Sequence, residues 1–223
     1  MHLHADFRER VVLHTPDIAW VASPMAGVDR RMLDRIGDEV ARATSVVRYA
    51  PGSRFSSHVH GGGEEFIVLE GVFQDEHGDY PVGTYVRNPP TSSHTPGSEP
   101  GCTIFVKLRQ FQPEDRRSVR VQMDAVARHT DPTTPDFESA LLFEDEFEKV
   151  QFQVWAPSAA RDFVLDGGAE LLVLDGEITQ GGTHLGRHSW LRLPVGSRLD
   201  AVAGPAGARV WMKTGHLRSV SAG

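Results

Sequence analysis

The chain of 223 residues has a single cysteine, Cys102, so it has no internal disulfide framework and no C-x-x-C redox or zinc motif. Nothing basic stands beside that thiol to lower its pKa, which makes it an inert strand or loop residue. Positive charge is short as well. Lys and Arg number 23 against 30 Asp and Glu, the formal net charge is −7, and the basic residues are scattered, so no footprint for nucleic acid is present. No apolar run reaches the ~18 residues of a membrane span, and the amino terminus lacks the charged-then-apolar profile of a secretory signal. The cytoplasm is therefore the expected compartment, with no membrane partner. Long amphipathic helices are missing too. The best helical candidate, residues 31–40, is weakened by its charges and by Gly37, and reads as no more than a turn or two.

What is present suits an all-β chain. Short apolar runs are separated by 22 Gly and 14 Pro, the composition of many strands joined by turns, and the length suffices for one large or two small cores.

His58, His60 and Glu64 stand in the spacing HxHxxxE, and His94 follows the Pro89-Pro90 turn. Alternation along a strand points His58 and His60 to one side. Gly61, Gly62 and Gly63 can take positive φ, which reverses the chain and returns Glu64 beside the histidines. Phe66 to Leu69 is an apolar run ended by Gly71 and reads as a buried strand, so Glu64 sits on a rigid element. Gly52, Gly71, Gly83 and Pro89 complete the pattern G-x5-HxH-x3-E-x6-G followed by G-x5-P-x4-H.

These two segments resemble the paired signature of the cupin superfamily. The stretch Pro89-Pro90-Thr91-Ser92-Ser93-His94, with Glu76-His77-Gly78-Asp79-Tyr80 between the motifs, is similar to the cupin domain of the anti-sigma factor ChrR and its stand-alone relatives. The resemblance covers nearly all of residues 7–111. It implies a double-stranded β-helix, or jelly-roll, barrel with one divalent metal held by His58, His60, Glu64 and His94. It also implies a homodimer.

The chain repeats itself at an offset of 105. Glu65 to Gly71 falls on Glu170 to Gly176, Tyr85 to Pro89 on Trp190 to Pro194, and Phe105-Val106-Lys107 on Val210-Trp211-Met212. Two tandem barrels are expected, with the linker-like stretch from Gln112 to Arg117 between them: a metal-binding cupin over 1–112 and a degenerate, metal-free one over 113–223. Carried across, His58, His60, Glu64 and His94 become Phe163, Leu165, Ala169 and Leu199, all apolar. Without a metal, an inward polar group would be buried without partners at roughly 1–3 kcal/mol each, so joint replacement by hydrophobes is what packing requires.

The remaining histidines form no comparable set. His2 and His4 make a second HxH at an end expected to fray, without a carboxylate at useful spacing. His184 and His188 fall among Gly181, Gly182 and Gly186, which argues for a turn and strand and against a helix. His77 reads as a solvated loop residue, and His14, His129 and His216 belong to no constellation. Glu144-Asp145-Glu146 reads as a solvated strand end before Phe147.

Three neutral imidazoles and one carboxylate suit Zn2+, Fe2+, Mn2+, Ni2+ or copper, and affinity order alone does not choose among them. The ChrR resemblance implies a sensory or regulatory protein responding to a small ligand or reactive oxygen, with a sigma factor or other regulatory protein as partner. The residues through Trp20-Val21-Ala22-Ser23-Pro24 show neither a His/Cys zinc set nor helical periodicity, so sigma-factor inhibition is not expected of this chain alone. The alternative implied by stand-alone relatives is a mononuclear non-haem iron dioxygenase cleaving a small diketone or aryl ketone, as acetylacetone dioxygenase does. In that reading Arg48, Tyr85, Arg87 and Lys107, each a cation or phenol on an expected strand, are candidates for orienting a substrate. No catalytic residue is assigned by spacing. A structural metal in an assembly module is the third reading.

Overall fold

The computed structural model describes residues 1–38 and 40–220. Strands, turns and short 3-10 helices account for its regular structure, so the fold is all-β. No helix among the described residues is long and apolar enough to cross a membrane. Residues 31–36 of the weak helical candidate at 31–40 instead belong to the Val28–Ile36 strand, which pairs antiparallel with Arg42–Tyr49. The ladder there outweighs a helix propensity already reduced by Gly37; Glu39 lies outside the described residues.

The chain divides into two compact units, Met1–Ala5 with Ile18–Ala125, and Asp6–Asp17 with Val126–Gly223. In the first, the sheet runs His2–Leu3, Val28–Ile36, Arg42–Tyr49, Cys102–Leu108, Glu64–Asp75, Thr84–Asn88, Val119–Gln122. In the second it runs His129–Thr130, Phe137–Glu144, Lys149–Trp155, Ser197–Thr214, Ala169–Gln180, Ser189–Leu193, Val11–His14. The order is the same element for element, as two copies of one unit require.

Two expectations change. Neither strand order returns to its first member, so each sheet ends on edges where closed barrels were expected. The short strands His58–Val59 and Ser93–His94 stand apart as a separate two-stranded ribbon, because Pro89, Pro90, Pro96 and the glycines around them interrupt the main ladder. The boundary expected near residue 113 also moves. Val119–Gln122 pairs with Thr84–Asn88, so the first unit runs on to Ala125, and Val11–His14 pairs with Ser189–Leu193, in the second unit. Each of those receiving strands would otherwise leave a row of backbone groups unpaired, and the lead-in strand before each repeat covers the edge in the other.

Side chains alternate across the sheets. In the first unit Phe66, Val68, Val86, Ile104 and Val106 form the core cluster with Phe73 and Tyr80. In the second, Leu171, Val173, Leu191, Val210 and Met212 do so with Trp155. Into that second core also go Leu165, Ala169 and Leu199, with Phe163 packed against it. Phe163 pairs with Leu199 in the ladder just as His58 pairs with His94, so the correspondence drawn from the sequence is a correspondence in space. Truncating Leu199 to Ala removes buried methyl groups that have no water to replace them. We expect Leu199→Ala to lower unfolding stability by about 2–5 kcal/mol in denaturant titration.

Candidate metal centre

His58 and His94 are cross-strand partners on the two-stranded ribbon, and His60 directly follows its strand His58–Val59, anchored at both backbone groups through Ser92 and Thr91. Glu64 opens the long Glu64–Asp75 strand, paired with Asn88 on one side and Leu108 on the other. Of the three glycines that turn the chain between them, only Gly63 takes positive φ, +78°. The result is convergence: one ligand atom from each of His58, His60, Glu64 and His94 lies within 4.8 Å of every other. The three imidazole centroids are 4.7–5.1 Å apart.

Which nitrogens face inward follows from the partners behind them. Ser92 Oγ donates its one proton to the Pro89 carbonyl at 2.6 Å, so toward His60 Nδ1, at 3.0 Å, it can only accept. His60 Nδ1 therefore carries the proton and Nε2 the lone pair. His94 Nδ1 lies 3.3 Å from the Asp75 carboxylate, an acceptor, with the same consequence. Both Nε2 atoms are buried and make no hydrogen bond of acceptable geometry, although Glu64 Oε2 is 3.3 Å from one and 3.5 Å from the other. Asn88 Nδ2 approaches the same carboxylate oxygen at 3.3 Å. Buried lone pairs and a carboxylate aimed at one point, without donors between them, are the donor set of a divalent cation, and the residues present fit one.

Residues 8–112 match the family model described as the ChrR cupin-like domain. Over that stretch the chain is similar to the ChrR cupin-like domain. A search of the curated proteins returned no match. Among solved structures, a candidate dioxygenase from Nostoc punctiforme superposes with TM-score 0.78 at 14% identity, over 96% of this chain and 86% of that one. The bacterial pirin YhhW of Escherichia coli in complex with nickel(II) gives 0.60 at 13% identity, over 92% and 98%. A cupin 2 conserved barrel domain protein from Leptotrichia buccalis gives 0.59 at 11% identity, over 87% and 91%. At such identities the likeness is one of fold, and the fold is that of cupins.

Three supports of the cupin cluster were not singled out from sequence. Asp75 accepts from His94, from the Tyr80 hydroxyl at 2.9 Å and from the His77 backbone at 2.8 Å. Ser92 and Asn88 are the others. Asn88 is the one with a signal in the sequence: it is two residues on from the apolar Val86, hence on the same face, and directly precedes Pro89. Tyr49, half-buried beside Phe55 and Phe73, is a fourth residue near the cluster. Its hydroxyl pKa is raised, first by burial and then by the Glu64 charge, so it stays a hydrogen-bond donor.

Burial pushes the Glu64 carboxyl up, but the three histidines facing it, His60 foremost, outweigh burial and hold the group below its ordinary range. Asp75 is likewise lowered against burial, by His94, the His77 amide and Tyr80. His58 is lowered chiefly by desolvation, helped by its two imidazole neighbours and opposed by Glu64.

Arg48, Tyr85, Arg87 and Lys107 are not brought to the cluster. Glu64, Phe66 and Val86 face the core, so Glu65, Tyr85, Arg87 and Lys107 face the other side of the same sheet. There Tyr85 donates to Glu65 at 2.6 Å, Lys107 to Thr44 at 3.0 Å, and Arg87 meets Asp115 at 2.6 Å and the Phe111 ring at 4.0 Å. Arg48 is exposed, pairs with Asp29 at 2.7 Å and lies over Trp20. Strand parity is the reason: one step along a strand changes the face. The second unit carries the same outer row, Glu170, Trp190, Arg192 and Lys213, all buried. Lys213 is opposite Glu170 as Lys107 is opposite Glu65, one position beyond the fixed offset. A row held in both units, with metal ligands in only one, belongs to the sheet.

The other histidines are spread over the fold. His2 lies in a short strand with Leu3 where fraying was expected, and His4 Nδ1 contacts the Leu33 carbonyl at 2.6 Å. His184 sits on the Thr183–Leu185 strand and pairs with Glu177, while His77 is exposed.

Two outcomes are expected. Asp75→Asn should weaken metal affinity by about 10–100-fold in competition with a chromophoric chelator, since it loosens the orientation of His94. Because Glu64, Asp75 and His58 all bind protons less readily when folded, the unfolded state takes up more protons, and stability is lost as the pH is lowered. In metal-free protein the loss should begin below His58's ordinary value of 6.5 and steepen below Glu64's 4.5, and Glu64→Gln should flatten the lower part of that thermal-denaturation profile.

Proposed function

We propose that this protein binds one divalent metal ion through His58, His60, Glu64 and His94 and acts as a ligand-responsive cupin of ChrR type, a sensory or regulatory protein. The observation that carries the metal is the pair of buried Nε2 lone pairs, His60 and His94, fixed from behind by Ser92 and Asp75 and unpartnered in front. A bound ion supplies Lewis acidity there, or redox chemistry with dioxygen if it is iron. The protein's own part is orientation and access. The three imidazoles hold the Glu64 carboxyl below its ordinary range, Asn88 approaches one of its oxygens, and His58, the one exposed member of the set, opens toward a cavity of about 300 Å3. Tyr49, Phe55 and Val28 line that cavity and exclude bulk water from one side.

That cavity favours a second reading, in which a small ketone or diketone enters beside the cluster and the protein is an iron-dependent carbon-carbon cleaving dioxygenase. The Nostoc neighbour's description is in keeping with it. Oxygen consumption by anaerobically Fe(II)-loaded protein given acetylacetone decides between the two: turnover selects the enzyme, and a firmly held metal without uptake selects the sensor.

Protein purified without added ions should contain about one metal per chain by elemental analysis, and His58→Ala or His94→Ala less than about a tenth of that, since each removes one of only four ligands. Unchanged metal content in both variants would sink the site.

A further inference from the structure

Arg109 occupies a position that its counterpart in the second unit explains. Leu108 pairs with Glu64 and Thr214 with Ala169, so the next residues, Arg109 and Gly215, are equivalent. Both are left-handed, at φ +56° and +87°, and both donate a backbone hydrogen bond to the equivalent glycine, Arg109 to Gly63 at 3.0 Å and Gly215 to Gly168 at 3.2 Å. The unit without metal ligands uses glycine there, the residue with no Cβ to strain. The unit with the ligands holds an arginine in a conformation L side chains avoid. The turn itself does not need the side chain, because Gly215 makes the same turn without one.

The chain also makes room for this guanidinium. A Cβ on Gly61 would lie 3.2 Å from Arg109 Nη2. Its equivalent in the second unit, where Gly215 stands at the Arg109 position, is Asp166. Gly61 directly follows His60, so the guanidinium is laid beside a ligand of the cluster. Arg109, His58, His60 and Glu64 line the same cavity. Glu64 and Arg109 are the Asp, Glu, Lys or Arg residues of that lining, and the Glu64 carboxylate is directed at the imidazoles. Arg109 is exposed, and among the described residues no carboxylate pairs with it. With a divalent ion on the cluster, the cavity carries an excess of positive charge that only an entering anion offsets.

We propose that Arg109 is the anion-binding residue of this cavity and that the site takes a small organic acid, its carboxylate on the Arg109 guanidinium and a second oxygen toward the His/Glu cluster. The assignment rests on the metal-binding reading above and narrows its ligand from ketones at large to carboxylates. The walls formed by Val28, Tyr49, Phe55 and Leu108 leave room for a short, mostly apolar remainder.

The test is calorimetric titration of the full chain with pyruvate and with its uncharged isostere pyruvamide, metal content being measured in the same samples, for the wild type, Arg109→Met and Arg109→Lys. Wild type should bind pyruvate about tenfold or more tighter than pyruvamide, the usual weight of a charge-assisted pair. Arg109→Met should lose that preference with its metal intact, and Arg109→Lys should keep part of it. No pyruvate binding by wild type, or Arg109→Met that still prefers pyruvate while holding its metal, overturns the assignment and leaves the metal reading standing. A wild-type protein that takes up no metal yet discriminates through Arg109 removes the metal reading alone.

Discussion

The first unit is organised around lone pairs that have nowhere else to go. Burying two imidazole nitrogens and a carboxylate within one small volume is unfavourable unless a cation joins them, and desolvation makes that joining strong when it happens. Everything near the cluster serves to keep those groups facing one another. The ribbon sets His58 against His94, the Ser92 hydroxyl and the Asp75 carboxylate choose the tautomers, and the first residue of the longest strand in the sheet brings in Glu64. The second unit shows the alternative solution to the same volume. Leu165, Ala169 and Leu199, with Phe163 beside them, fill it with hydrocarbon, and no cation is called for.

A chain that keeps two copies of one sheet therefore separates what the sheet requires from what the site requires. The outer row of Glu65, Arg87 and Lys107 recurs as Glu170, Arg192 and Lys213, buried in both. Charges buried in such numbers are tolerated when each finds a partner, and the contacts of Arg87 with Asp115 and of Lys213 with Glu148 are of that kind. The ligands recur in neither identity nor polarity. Position by position, the comparison assigns the row to architecture and the cluster to chemistry.

The sequence made the cluster legible because its spacing is dictated by strand geometry over short range: His58 and His60 within one pleat, Glu64 after one turn. The repeat was legible because buried strands such as Phe66–Leu69 and Leu171–Leu174 have to be apolar at the same steps. The residues around the cluster were harder. Arg48, Tyr85, Arg87 and Lys107 were placed by residue type alone, and type does not reveal parity; the side of the sheet became readable only from a neighbour of known facing, as Val86 fixes Arg87. Asp75 was hidden for another reason. It is eleven residues from Glu64 at the far end of one strand and meets His94 only through long-range pairing. The edge strands were beyond local reading altogether, since Val11–His14 is recruited by Ser189–Leu193 and nothing near residue 11 names that partner.

That recruitment bears on how the molecule is made. The segment Val11–His14 is synthesised 175 residues before Ser189–Leu193, the strand whose backbone groups it must satisfy. Until then it is a bare ribbon of donors and acceptors in a crowded cell, open to pairing with another nascent copy, and late closure of this seam is a kinetic hazard built into the topology.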